Sequence, residues 1–481
     1  MDRKIRAVGP YKELEKHDYE KELGSGKHIV MPGFINSHHH GKGVGMILRG
    51  VKDGPLETWI HEFFVKYGYG EKTYETVLLS CLNQIENGIT CTMHHFYGPA
   101  DVLNFKDYLK DTDEAVRANV DSGIRFAFAP HIYDQNMCTY EDEKFLPKLP
   151  KALREKFNLR IVTKQEAAER TTNYFRAFDE IYKKYNGYND RANIYLGPAN
   201  VQWCTDGLWL EIKERSERLN TGIHTHLVES RYQAQYGLKK LGASPVEHLQ
   251  KLGLLSPKLS CGHSVWLTEK DIKIMAQTKA IAVHNPSSNL RLFNGISPIL
   301  FMKKAGMQVA MGVDGTGIND EEDMFQEMRM SYVLHRIPGV GSTGLTPNEI
   351  LDINQLGGAK VTGFENEIGS IEVGKKADII LVNSERVMTP FVSPKTSLID
   401  LLIARAKGLD VDSVVVNGEI LMENKKLTKA NKTKLYQRIK KWKESDQDSD
   451  RAVEELVKWI RTFYKSWDET ALTYRYNYLS S

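Results

Sequence analysis

The sequence predicts an α/β protein built on a closed (β/α)8, TIM-like barrel, with a small β side domain drawn from both chain ends and a helical C-terminal tail. Three observations predict it. Between residues 30 and 320 eight short apolar runs recur. The stretches between them carry apolar residues at three- and four-residue spacing, the period of a helix with one buried face. No glycine-rich phosphate or dinucleotide loop follows any run, which counts against an open doubly wound sheet.

The runs in order are "IVMPGFIN", "GITCTMHHF", "IRFAFAPHI", "ANIYLGPANV", "GIHTHLVE", "LSCGHSV", "AIAVHNP" and "QVAMGVDG". Helical segments between them include "EKTYETVLLSCLNQIEN", "TDEAVRANVDSG" and "TEKDIKIMAQTK". Strands alternating with helices in this way favour a parallel barrel, spanning residues 32–368. Beyond residue 368, "GSIEVGKKADIILVN" and "DVDSVVVNGEIL" read as strands, the second with an "NG" turn signal. With "KIRAVG" and "KHIVMPG" as partner strands, residues 1–31 and 369–425 form the expected side domain. Residues 426–481 are charged and helical, with one apolar stripe of Val453, Leu456, Trp459, Ile460 and Phe463.

Composition narrows the class. The chain has 481 residues and a net charge of +3, too balanced for a general nucleic-acid or membrane-surface binder. No apolar run reaches the length of a membrane span, and "MDRKIRAVGP" carries charges where a secretory signal needs an apolar core. Five scattered cysteines without short paired spacing suit reduced thiols, so a cytoplasmic protein is expected.

The chemistry gathers where the runs end. Alternate side chains of an extended chain point the same way, so in "GFINSHHH" His38 and His40 converge while His39 turns away. Two converging imidazoles make half of a metal site. "HTHLVES" places His224 and His226 on one face, with Glu229 three residues after His226. Run six ends in His263, run seven in His284 and run eight in Asp314; His94 and His95 end run two. A lone strand histidine is most often a satisfied core residue, and an aspartate before glycine is most often a turn or cap. Ionisable groups at the C-terminal ends of strands one, five, six and eight are what a barrel active site requires. Three imidazoles and a carboxylate suit one divalent ion, zinc first and iron(II) second.

"PGFINSHHH", "HLVES", "GHSVW", "HNPSSNLRLFNGISPI", "LRGVKDGPLETWI", "GVDG" and "IGSIEVGKKADIILVN" together resemble the amidohydrolase superfamily. Within it they are most similar to the branch of adenosine-type and guanine deaminases and triazine hydrolases, over residues 5–430. The resemblance implies that His38, His40, His226 and Asp314 hold the ion. It implies that Glu229 shuttles protons to the ring, that His263 helps bind water or substrate, and that Trp59 lines the pocket. Two-ion relatives use a carboxylated lysine on the fourth strand. "ANIYLGPANVQWC" has no lysine, so one ion is expected. Relatives carry one or two strands ahead of the equivalent of "KIRAVG", and many have an aspartate within the equivalent of "MHHF".

The activity so implied is hydrolytic removal of an exocyclic amino group from a planar nitrogen heterocycle of purine, pterin or triazine type. Glu229, His263 and Asp314 are the expected catalytic residues, with Trp59, His95 and His284 contacting substrate. The same site could expel chloride, alkylamine or methylthio from a triazine-like ring, and a barrel that binds without turnover is the reading from another class. A small heterocyclic substrate and a homodimer are the expected partners; nucleic acid and membrane are not.

Overall fold

The computed structural model describes residues 3–67, 72–314, 321–341, 344–441 and 447–468. Its first apolar run divides at Gly33 into two strands that serve different sheets, β1 (His28–Pro32) and β2 (Phe34–His39). Any side chain at Gly33 would collide with Thr90, so only glycine lets the chain pass from one sheet to the other here.

The remaining barrel strands are β3 (Ile89–Phe96), β4 (Arg125–Ile132), β5 (Ala192–Ile194), β6 (Gly197–Pro198), β7 (Ile223–Leu227), β8 (Leu259–His263), β9 (Ile281–His284) and β10 (Gln308–Met311). They form two parallel arcs, β2-β3-β4-β5 with β6 also on β4, and β7-β8-β9-β10. The arcs meet at both seams. Isolated parallel bridges join His39 to Asp314 and Leu196 to Ile223. The Asp314 amide donates to His38 O at 2.8 Å, and the His224 amide to Leu196 O at 2.9 Å. With β5 and β6 sharing one position, this is a TIM-like barrel. Its interior is filled by small and branched residues such as Ala127, Ala129, Val283 and Ala310. The side chains that carry chemistry are therefore left to the strand ends.

Helices cover the outside. Thr73–Glu86, Phe105–Ser122 and Glu269–Thr278 correspond to the three quoted helical segments, and the last starts in a Thr268–Asp271 capping box. Four further strands, β11 (Ile379–Asn383), β12 (Val411–Val416), β13 (Glu419–Glu423) and β14 (Lys426–Leu427), extend from β1 as an antiparallel sheet. "KIRAVG" adds only the isolated bridge Lys4–Lys376. With charged neighbours on both sides, Ile5 alone is buried, which is too little apolar surface to hold a strand. Arg125 at the start of β4 ties this sheet to the barrel. Its Nε and Nη2 donate to the two oxygens of Asp378 at 2.7 and 2.9 Å.

The tail forms helices Lys432–Ile439 and Gln447–Asp468. The second buries Val453, Leu456, Val457, Ile460, Tyr464 and Trp467. Trp459, assigned to this stripe by spacing, is instead 36% exposed. It lies about 120° round the helix from the buried line, and Tyr464 and Trp467 take the contacts expected of it. They pack on Tyr140, Phe145 and Tyr236, beside the mouth of the barrel.

Candidate active site

β2 ends in alternation, and the two faces meet different surroundings. His39 faces outward onto His94, ring centroids 4.6 Å apart, and accepts from the Gly41 amide at 3.0 Å. His38 and His40 face the barrel mouth. Their Nε2 atoms lie 3.2 and 3.0 Å from Asp314 Oδ1, and His40 Nε2 lies 3.4 Å from His226 Nε2. All four side chains are buried or nearly so.

Hydrogen bonds behind these rings decide which nitrogen each presents. His40 Nδ1 donates to His95 O at 2.7 Å, and His226 Nδ1 to Ala199 O at 2.8 Å. Each ring, with a proton on Nδ1, therefore turns its Nε2 inward. For His38 the assignment runs through a relay. Ser260 Oγ donates to Ile223 O, so it accepts from His224 Nδ1 at 2.7 Å. That leaves His224 Nε2 to accept from His38 Nδ1, also at 2.7 Å, and His38 Nε2 is bare. His38 Nε2 and Asp314 Oδ1 are buried with no hydrogen-bond partner. Burial lowers the pKa of His38 and drives that of His226 well below the ordinary imidazole value, which keeps protons out of the cluster. Lone pairs crowded together without protons fit a cation, and the N3O donor set fits one divalent ion. His38, His40 and Asp314 lie within 4.8 Å of one another, as do His38, His95 and His226.

Next to the cluster lie Glu229 and His263. Glu229 is buried where β7 turns into its loop; Asn294 Nδ2 donates to its Oε1 at 2.9 Å. Burial, with Asp314 and Glu57 nearby, raises its pKa well above the carboxylate range, which favours the protonated form as pH rises toward neutrality. His263 Nδ1 donates to Asn289 Oδ1 at 2.9 Å, which aims Nε2 at Glu229 Oε2 (3.7 Å) and Asp314 Oδ2 (3.9 Å). Burial lowers the His263 pKa to about 4, so it is neutral under the same conditions. His263 and Asp314 have φ of 66° and 64°, left-handed conformations that side chains rarely adopt. Such strain is held at functional sites by the surrounding structure. Here the Asp314 amide bond to His38 O and the Ser288 Oγ donation to Asp314 Oδ2 at 2.6 Å do the holding.

A cavity of about 50 Å³ opens above these groups, walled by Trp59, Tyr97, His131, Tyr140 and Trp203 as well as His40, Glu229 and Asp314. Trp59 comes from helix Leu56–Tyr67 and stacks on Phe63. Two residues expected on this wall lie elsewhere. His95 sits beneath, where its Nε2 donates to Gly197 O at 3.1 Å. His284 faces out of the barrel onto His335, Nε2 to Nε2 at 3.0 Å. Both ended apolar runs, but strand alternation and register aim them away from the cavity. The supporting groups Ser260, Ser288, Asn289 and Asn294 carry no signal as single residues, and the sequence places His224 on the His226 face without giving it a role. The polar cluster "NPSSN" was the visible signal for Ser288 and Asn289.

A family model described as the amidohydrolase family matches residues 29–421. The chain belongs to that family. This amidohydrolase is a metal-dependent hydrolase acting on C–N bonds. It is 30% identical over 419 residues to a 5-methylthioadenosine/S-adenosylhomocysteine deaminase of Caldanaerobacter subterraneus subsp. tengcongensis, covering 86% of each chain. It is also 30% identical to a 5′-deoxyadenosine deaminase of Methanobrevibacter smithii, over 91% of each chain. Its fold matches that of an adenosine deaminase from Xanthomonas campestris with bound zinc. The TM-score is 0.73 at 22% identity, over 96% of this chain and 92% of that one.

Proposed function

We propose that this amidohydrolase hydrolyses the exocyclic amino group of a purine nucleoside of adenosine type, releasing ammonia. One observation carries the reading: a buried Glu229, its pKa raised by burial, 3.7 Å from His263 beside the His38–His40–His226–Asp314 cluster. Cleavage of a simple amide needs no acid aimed at a ring nitrogen; ring deamination does. The names of the relatives support the purine.

A divalent ion, proposed to be a single zinc, would bring the pKa of a bound water from 15.7 toward ~7 and polarise the reacting carbon. The protein's own groups account for the protons. Glu229 donates to the ring nitrogen next to the amino-bearing carbon, which makes that carbon electrophilic. Asp314 takes one proton from the attacking water as the carbon–oxygen bond forms, and His263 Nε2 accepts a hydrogen bond from that water's other proton, which holds the water in line. Asp314 passes its proton to the amine, the carbon–nitrogen bond breaks, and the new hydroxyl returns a proton to Glu229, leaving a ring carbonyl and ammonia. Trp59 offers an apolar face to the flat ring.

Five free, buried cysteines support a reducing compartment, and no helix among the described residues is long and apolar enough to cross a membrane. We place the barrel at 32–368 and the side domain in 1–31 with 369–425, and expect a cytoplasmic homodimer. The test is ammonia release by the zinc-loaded protein from adenosine, 5′-deoxyadenosine, guanine, a pterin and an aminotriazine. Release from the adenosines first, with one zinc per chain, is expected. Activity confined to acyclic amides, or halide release in place of ammonia, would reject the reading.

A further inference from the structure

The reaction cavity, at about 50 Å³, is well below the ~300–1,000 Å³ of pockets that bury a small ligand. A nucleoside must project out of it. Beside it lies a second cavity of about 280 Å³, and the two share Phe64, Tyr97, His131 and Trp203 as walls. The part of a substrate that does not react therefore has one neighbouring chamber to enter, and the character of that chamber selects it.

The far wall is apolar: Val102, Met137, Phe157, Leu159 and, from the tail helix, Leu456. Three polar groups on the wall are bound to the protein itself. Tyr108 Oη donates to His131 O at 2.9 Å, Asn136 Nδ2 to Gln202 O at 2.8 Å, and His61 Nε2 to Cys138 O at 2.9 Å. Arg170 is the guanidinium of the wall, and its charge is met. Asp101 lies 2.9 Å from Nη2 and Glu166 3.2 Å; Arg160 sits 2.8 Å from the same Glu166. Two guanidiniums against two carboxylates leave no net charge for an ionic group, and desolvating one here would go uncompensated.

We propose that this chamber is a subsite for an uncharged, largely apolar appendage on the heterocycle. The enzyme then prefers 5′-alkylthio nucleosides over nucleosides that carry a charged amino-acid group at the same position. The identity of the reacting group rests on the deaminase reading above; what the chamber binds is tested apart from it.

Binding and turnover are measured separately. Calorimetry on the zinc-loaded Glu229→Gln protein is expected to show 5′-methylthioadenosine binding at least tenfold tighter than S-adenosylhomocysteine. Wild-type kcat/KM should follow the same order. Leu159→Trp, which fills the chamber, should cut the preference for 5′-methylthioadenosine over 5′-deoxyadenosine at least threefold. S-adenosylhomocysteine binding equally or more tightly, or no binding by any of the three, overturns the subsite; this comparison needs no folded Leu159→Trp. An unchanged preference in a folded Leu159→Trp protein overturns it too. Selective binding without ammonia release from any of the three rejects the deaminase reading and leaves the subsite standing.

Discussion

The acid role proposed for Glu229 rests on where it sits. The same carboxyl on the surface would be ionised at neutral pH; burial and the neighbouring Asp314 and Glu57 raise its pKa well above the ordinary carboxylate value. Its pKa is raised, so the competent form is present below that value and is lost as pH rises through it. His263 sets the opposite limb, since it takes a proton as pH falls toward about 4. The expected kcat/KM profile is flat between these limits. Glu229→Gln should fold, keep one metal per chain and lose ~10²–10⁴-fold in turnover, with its alkaline limb gone. A variant with near-normal rate and the same limb would remove Glu229 from the mechanism. The Ser260–His224–His38 relay makes a second prediction. Ser260→Ala takes away the acceptor that fixes the His224 tautomer, so His38 no longer has to present Nε2. Metal affinity should fall ~10–100-fold. Nitrogen-15 shifts of His38 should show mixed tautomers, and Ser260→Thr should restore both. Unchanged tautomers would reduce the relay to packing.

At the scale of the element, the tail helix shows how a stripe is chosen. Ile460 is fully buried against the mouth-side cluster, whereas Trp459, one residue earlier, stands at the rim. Ile460→Ala should cost ~2–5 kcal/mol in chemical denaturation, the usual price of a core cavity. Trp459→Ala should cost under ~1 kcal/mol, although it deletes more atoms. The reverse order would mean that the helix packs in another register. What the helix supports is close to the chemistry. Tyr464 Oη accepts from the Tyr140 amide at 3.1 Å, and Tyr140 Oη donates to Glu57 at 2.9 Å. Tyr140 itself walls the reaction cavity.

For the whole molecule, one buried carboxyl of the barrel couples stability to pH. Glu327, wholly buried and accepting from the Ser287 amide at 3.2 Å, has its pKa raised by burial to about 7. The folded state binds this proton more tightly than the unfolded chain does. The resulting stabilisation is present below about pH 4.5 and is lost as pH rises through about 7. The full effect is about 3 kcal/mol. Glu327→Gln cannot ionise, so its melting temperature should gain on the wild type between pH 5 and pH 8. A difference that does not move with pH would show that Glu327 is already ionised in the fold.

Local pattern and global contact divide the account of this protein between them. The 2.0 and 3.6 residue periods exposed the eight strand positions and the helices between them, because amphipathic burial writes itself into adjacent residues. Alternation also separated His38 and His40 from His39, since neighbours on a strand must face opposite ways. It could not say which strand histidines look into the cavity. His95 and His284 end their runs as His263 does, yet one lies beneath the cluster and the other meets His335, because register between strands sets that direction. The proton assignments needed partners far apart in the chain, Ser260 for His224 and Ala199 for His226. The raised pKa of Glu229 needed Glu57 and Asp314 brought beside it. Hydrogen bonds and charges act over a few ångströms whatever the separation along the chain, so these terms exist only once the barrel has closed.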